Sequence, residues 1–293
     1  MIQVATLVVV GVGLIGGSCA LALRKAGAVD RVIGVGRGRR NLEEALRRGI
    51  IDVAHALDDD WQSELPRADI VLIATPLSQY PVLFAAIAPA IGRDTIVTDA
   101  GSTKQDVVHA ARDAFRDAAS RFVPAHPIAG SDQSGAAAAD ATLFEGRNVI
   151  VTPVSETAPD ACARIKSLWQ TCGADVATMT PAAHDRVVAA VSHLPHMLAF
   201  ALVAELDSRE DSAELFAYAG SGFRDFTRIA ASSPEMWRDI ALANRQALVN
   251  DLARYRSALD AASQLIARGD GDALYDLFER AAAARRRLHD AKH

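Results

Sequence analysis

A doubly wound α/β domain followed by an all-helical domain is what this sequence predicts, and two observations predict it. Through the first half, short β-branched runs alternate with alanine-rich helical stretches, the pattern of parallel strands joined by crossover helices. After Met179-Thr180-Pro181 the strand signals stop and amphipathic helices take over. The expected domains are therefore 1–179 and 180–293. With 293 residues, half of them hydrophobic, two domains are as compatible with the length as one.

The expected strands are Leu7–Val10, Val32–Val35, Ile70–Ala74, Thr95–Thr98, Phe122–Pro124 and Val149–Thr152, with Asp175–Thr178 as a further candidate. Being apolar on both faces, they suit a sheet covered by helices on both sides. Met1–Val10 lacks a basic leader and runs straight into a glycine turn, so it reads as a first strand rather than a signal peptide. Thr180 is placed to cap a helix whose first residue is Pro181, where the missing donor costs nothing. Helices are expected over Pro181–Ala190, Leu194–Asp207 and Pro234–Ala267. The second domain is short for so much apolar surface, so it is expected to pack against another copy of itself as a homodimer.

Composition narrows the class. A net charge of -5 offers no field to recruit nucleic acid or an anionic membrane, and no run is read as approaching the roughly 20 apolar residues of a membrane span. Cys19, Cys162 and Cys172 fall in apolar helical patterns without metal or dithiol spacing, so they read as buried free thiols of a reducing compartment. A cytoplasmic protein acting on a small molecule, with no metal, is expected.

Gly11-Val12-Gly13-Leu14-Ile15-Gly16 follows the first strand and opens a helix. Gly11 makes the tight turn, Gly13 lets the backbone approach a pyrophosphate, and Gly16 lets helix and strand pack closely. The helix N-terminus at Leu14 and Ile15 attracts the phosphates. This is a Rossmann-like dinucleotide site. At the end of the second strand, where an acid would bind the ribose of NAD, stands Gly36-Arg37-Gly38-Arg39-Arg40. Loss of the acid removes a repulsion and a guanidinium can grip a 2′-phosphate, so NADP is expected ahead of NAD, with Arg37 as the contact. Thr75, after the third expected strand, either touches the nicotinamide ribose or begins the next helix.

Two further loops carry polar chemistry: Asp99-Ala100-Gly101-Ser102-Thr103-Lys104, and the turn His126-Pro127-Ile128-Ala129-Gly130-Ser131-Asp132. Both are expected at the same sheet edge as the glycine loop. An imidazole there, with an unperturbed pKa near ~6.5, suits a proton acceptor around neutrality. A lone histidine before proline can equally do no more than hydrogen-bond a turn. No G-x-S-x-G elbow surrounds Ser102, which disfavours a hydrolase.

These motifs resemble the prephenate and arogenate dehydrogenases of tyrosine biosynthesis. The resemblance continues through Ser134-Gly135, Leu143-Phe144, Val151-Thr152-Pro153, Ser192-His193-Leu194-Pro195-His196, Ser221–Ala230 and Met236-Trp237-Arg238-Asp239, so it covers nearly the whole chain in order. It implies NAD(P)-dependent oxidative decarboxylation of a cyclohexadienol that carries a ring carboxylate. In it His126 takes the hydroxyl proton, Ser102 hydrogen-bonds the hydroxyl and His126, and Ser131 lines the pocket. Arg228 clamps the ring carboxylate, with an ion pair to Asp225 or Asp239 as its alternative. His196 contacts the substrate, although His193 or His196 could instead cap a helix. Trp237 walls the ring or fills core.

Asp132 would attract the ammonium group of arogenate, or form a gating salt bridge; arogenate or dual specificity is therefore expected. A β-hydroxyacid dehydrogenase is the nearest rival, but no lysine lies in the helices just after Pro181. A non-catalytic NADP sensor is the rival from another class. It has no need of Ser102, His126 and Arg228 together.

Overall fold

The computed structural model describes residues 2–130 and 133–290. Its first part alternates β1 (Val4–Val10), α1 (Leu14–Lys25), β2 (Val29–Gly36), α2 (Arg39–Arg47), β3 (Val53–Ala56), β4 (Ile70–Ile73), α3 (Tyr80–Ile87), β5 (Ile96–Asp99), α4 (Gln105–Phe115) and β6 (Phe122–Val123). The six strands form one parallel sheet in the order β3-β2-β1-β4-β5-β6. The chain reverses direction across the sheet between β1 and β4, which puts a ligand crevice at the C-terminal ends of those two strands. β3 was not among the expected strands, because Val53-Ala54-His55-Ala56 is too short and mixed to signal one.

The strands of the parallel sheet other than the edge strand β3 are buried on both faces along most of their length. Leu7 and Val9 of β1 join one core and Val8 and Val10 the other, as the twofold alternation of a strand requires. The second core is closed by an aromatic cluster in which Phe84 meets both Phe115 and Phe122 edge-on at 5.3 Å.

The expected single sheet is in fact two. β7 (Ala125–Pro127), β8 (Asn148–Val151) and β9 (Asp175–Thr178) form a separate three-stranded sheet, with β7 antiparallel to β8 and β8 parallel to β9. α5 (Pro159–Thr171) links β8 to β9, and the first core runs from α1 into this sheet and α5. His126 therefore sits in a strand opposite Ile150, not on a turn. Pro127 is tolerated because a strand at the edge of a sheet has one side without a ladder. Cys19 and Cys172 are buried as expected, whereas Cys162 is only half-buried.

From Pro181 onward the chain is helical: α6 (Pro181–Val188), a π turn over Ala189–His193, α7 (Leu194–Asp207), α8 (Ser212–Ala217), α9 (Ser221–Thr227), a 3-10 turn over Arg228–Ala231 and α10 (Pro234–Ala243). Thr180 caps α6 by accepting the Ala183 N–H at 3.2 Å. Pro195 has no N–H for the carbonyl four residues back, and the helix widens just before it. α6, the π turn and α7 form one continuous run, Pro181–Asp207, long and apolar enough to cross a membrane by length and composition, which corrects the sequence expectation. Its His184, Asp185 and His193 are buried polar residues.

The expected helix Pro234–Ala267 is broken at Asn244, where the backbone turns to φ -100°, ψ 30° and the side-chain Nδ2 donates to Asp185 O at 2.8 Å. The chain divides by compactness at Arg245. The second unit, Gln246–His293, consists of α11 (Arg245–Arg268, all but its first residue) and α12 (Gly271–Asp290), joined at Gly269 with φ +66°. It leaves Leu259, Ile266, Tyr275 and Phe278 exposed.

Phe144 is fully buried edge-on against Trp169, with ring centroids 5.2 Å apart, in the core shared by both sheets. Phe144→Ala is expected to cost about 3–5 kcal/mol of stability, measured by urea unfolding.

Candidate active site

The glycine loop is built for a dinucleotide. Gly11 has φ +100°, and a Cβ on it would lie 2.5 Å from the Ala74 carbonyl oxygen. A Cβ on Gly16 would lie 2.3 Å from Gly11 O. Over Gly13 there is open space, so a ligand can approach the backbone there. Gly13 begins α1 with no side-chain cap and no acid in the first turn, and Leu14 and Ile15, both half-buried, open the helix. Its first N–H groups and its dipole are thereby left for an anion. Thr75 packs against this loop, its Cγ2 3.0 Å from the Cβ position of Gly11.

Beyond β2, Arg37, Arg39 and Arg40 are all exposed. Arg39 reaches Asp58 and Asp59 at 3.8 and 3.7 Å, while among the described residues no ion pair engages Arg37.

A cavity of about 720 Å³ lies between the second sheet and α6, α7, α10 and the turns before α7 and α10. It gathers four of the residues singled out from sequence: His126, His196, Arg228 and Trp237. Asn148, Met179 and Ser192 also line it and were not anticipated. Ser102 and Thr75 are not among its lining residues. Ser131 and Asp132 lie outside the described residues.

His126 is oriented by His184, where the sequence reading gave that part to Ser102. Its Nδ1 stands 2.8 Å from His184 Nε2, and His184 Nδ1 stands 2.8 Å from Asp185 Oδ1. The chain of partners fixes the tautomers. An Asp185 carboxylate only accepts, so His184 Nδ1 carries a proton and its Nε2 accepts from His126 Nδ1–H. The lone pair of His126 is then on Nε2. Ser102 is half-buried, with no hydrogen bond to His126 among the described contacts.

Burial, then the charges of His184, Lys104 and His193, push His126 well below its usual value of 6.5, so it is neutral at pH 7. Burial alone would raise Asp185. The hydrogen bonds from His184 and from the backbone N–H of Gln105 and Lys104 outweigh it and hold the carboxyl below its usual value. Those two N–H groups reach Asp185 Oδ2 and Oδ1 at 2.9 and 2.8 Å, so the carboxylate also caps α4.

The loop carrying Ser102 is held from below. Asp99 Oδ2 accepts from Lys104 Nζ at 2.5 Å and from Gly101 N at 2.8 Å, and Oδ1 accepts from Ala125 N, next to His126, at 3.1 Å.

His196 and His193 divide their roles. His196 Nδ1 donates to Ser192 O at 2.9 Å, which leaves Nε2 as an acceptor, and its ring stacks on Trp237 with centroids 3.6 Å apart. Burial and the Arg228 charge lower its pKa, against the Ser192 carbonyl. His193 is buried, is not among the residues lining the cavity, and accepts from Asn244 Nδ2 at 3.2 Å; its side chain caps no helix. Arg228 is not paired as the alternative supposed. Asp239 is engaged by Arg238 and Ser78, and among the described residues no ion pair joins Arg228 to Asp225.

A neutral imidazole lining a cavity, on a chain whose first strand ends in a loop shaped for pyrophosphate, is the combination of a dinucleotide-dependent dehydrogenase. Fold and site assign the chain to that class. Comparison with known proteins makes the assignment specific: residues 19–178 match the model "Prephenate dehydrogenase, nucleotide-binding domain", and residues 180–280 match "Prephenate dehydrogenase, dimerization domain". The chain is 37% identical to the prephenate dehydrogenase of Bacillus subtilis over 94% of its own length and 74% of that protein's. It is 34% identical to the cyclohexadienyl dehydrogenase of Zymomonas mobilis over 97% of both. The structure of prephenate dehydrogenase from Aquifex aeolicus in complex with hydroxyphenyl propionate and NAD+ superposes with a TM-score of 0.90 at 33% identity, covering 97% of this chain and 98% of that one. This chain belongs to the prephenate dehydrogenase family, and it is an oxidoreductase.

His193 generates a test of the buried network. Burial first, then the charges of His184 and His196, lower its pKa to about 4 from 6.5, with Asp185 opposing. The unfolded chain therefore takes up this proton before the native state does. Its contribution to stability is full above pH 6.5 and lost progressively as the pH falls towards 4. Urea unfolding at pH 7 and pH 5 is expected to show a smaller acid loss for His193→Asn than for the parent.

Proposed function

We propose that this chain catalyses the oxidative decarboxylation of arogenate, prephenate or both, yielding tyrosine or 4-hydroxyphenylpyruvate, with NADP preferred over NAD. The observation that carries this reading is a neutral imidazole with a fixed tautomer sharing one cavity with the Arg228 guanidinium. The dinucleotide, held at Gly11, Gly13, Leu14, Ile15 and Gly16, supplies the hydride acceptor. His126 Nε2 takes the proton of the ring hydroxyl as the C–H bond at the same carbon breaks. Positive charge that develops on His126 is met by the His184 acceptor and, behind it, by Asp185. Arg228 holds the ring carboxylate with its fork, and that carboxylate leaves as carbon dioxide when its C–C bond electrons restore aromaticity.

The remaining assignments follow the same chemistry. Ser102 hydrogen-bonds the hydroxyl from the β5 loop, and Thr75 lies on the nicotinamide side of the glycine loop. His196 Nε2 hydrogen-bonds the substrate, with Trp237 bracing its ring and walling the cavity. Ser131 and Asp132 complete the pocket, Asp132 favouring the arogenate ammonium. Arg37 takes the 2′-phosphate, since no acid stands at the end of β2.

Residues 1–179 serve the dinucleotide, and 180–293 serve the substrate and a homodimer that covers the exposed apolar residues of the last two helices. The protein works in the cytoplasm.

Steady-state rates with arogenate and prephenate, each with NAD and NADP, test the reading, with His126→Asn alongside. The parent is expected to favour NADP, and His126→Asn to lower kcat at least ~100-fold. Because burial lowers the His126 pKa, the acid limb of kcat/KM is expected below pH 6.5. Parent-like turnover by His126→Asn would remove its role as base, and no turnover by the parent would remove the reading itself.

A further inference from the structure

One side chain joins the glycine loop to the segment that continues from the His126 strand. Asn41, in the first turn of α2, donates from Nδ2 to the Val12 carbonyl at 2.7 Å and accepts the Ala136 N–H on Oδ1 at 2.7 Å. A carboxamide carries donor and acceptor on one rigid plane, so it holds the two backbone groups at a set separation. Gly135, with φ +83°, brings the chain in close: a Cβ there would stand 3.0 Å from Asn41 Oδ1.

The same segment is gripped twice more. Arg48, just past the end of α2, donates from Nη1 to the carbonyls of Ala136 and Ala137 at 2.6 and 2.5 Å, and from Nη2 to that of Ala139 at 3.3 Å. The buried Ser18 hydroxyl of α1 accepts the Asp140 N–H at 2.9 Å. Ala136–Ala138 is a single 3-10 turn, too short to hold itself in place. Its position is set by α1 and α2, the helices that follow β1 and β2. Upstream of it, Ile128, Ala129 and Gly130 wall the substrate cavity.

We propose that Asn41 is a positioning residue that couples the dinucleotide site to the substrate cavity. Val12 lies between Gly11 and Gly13, so a pyrophosphate that settles the glycine loop also settles the Val12 carbonyl. Through Asn41 that restraint passes to Ala136, six residues along the chain from Gly130 of the cavity wall. Coupling of this kind is reciprocal: each ligand tightens the other by the same factor. The inference rests on the dehydrogenase reading above and adds to it a route between the two sites.

The test is calorimetric binding of NADP+ and of NAD+ to the full chain, alone and with saturating hydroxyphenylpropionate, for the parent, Asn41→Ala and Arg48→Ala. In the parent the aromatic acid is expected to tighten dinucleotide binding at least ~5-fold. In both variants that ratio is expected to fall to about one, with KM for substrate raised ~10-fold and kcat changed less than ~3-fold. Asn41→Asp keeps the acceptor for Ala136 but has no donor for Val12, and is expected to lose the coupling too.

A side chain that only stabilised the fold would lower the unfolding midpoint and leave the ratio at its parental value. That result, or a ratio of one in the parent, overturns the proposal. Turnover is read on the same samples, so failure of the function (no turnover in the parent) and failure of the coupling (an unchanged ratio in the variants) are separate results.

Discussion

The Asp185 carboxylate ties the site together. It receives His184 on one oxygen, closes the N-terminus of α4 through the N–H groups of Lys104 and Gln105, and stands at the start of the helical half of the chain. A buried carboxylate is costly unless its charge is matched by donors, and here a helix terminus and an imidazole supply them. The consequence travels outward. With Asp185 ionised, His184 has one possible tautomer, His126 inherits the complementary one, and the lone pair of His126 ends on Nε2.

Around that relay the site mixes rigid and permissive parts. His126 sits on a strand paired to β8, so its backbone is fixed by a ladder that a turn would lack. Arg228 comes from a short 3-10 turn among half-buried and exposed residues, and His196 is held by the Ser192 carbonyl and the Trp237 ring. His126 is placed by the sheet, and His196, Arg228 and Trp237 by the helical part of the chain. Asn41 ties the dinucleotide loop to the alanine turn at Ala136, on the segment that follows the cavity wall in sequence.

Much of this was legible in the sequence, for physical reasons. Strand and helix periodicities differ, so the alternation up to Thr178 and the helices beyond Pro181 could be read directly. The glycine motif announced itself because Gly11 and Gly16 have no space for a Cβ. His126, His196, Arg228 and Trp237 were found through their motifs and do share a cavity.

What stayed hidden depends on long-range pairing. β3 and β7 are too short to carry a periodicity, and Pro127 made a strand look like a turn. His184 meets His126 from 58 residues away, so the relay has no local signature beyond an adjacent His-Asp pair in an apolar helix. The break at Asn244 has the same origin, since its partners Asp185 and His193 lie on another helix.

The central claim is that Asp185, acting through His184, sets His126 as a neutral imidazole with its proton on Nδ1. Nitrogen-15 correlation spectra of histidine-labelled protein at pH 7 read this directly, with His126→Asn to assign the signal. The account predicts the neutral Nδ1–H form for His126. An Nε2–H tautomer or an imidazolium at that pH would contradict it.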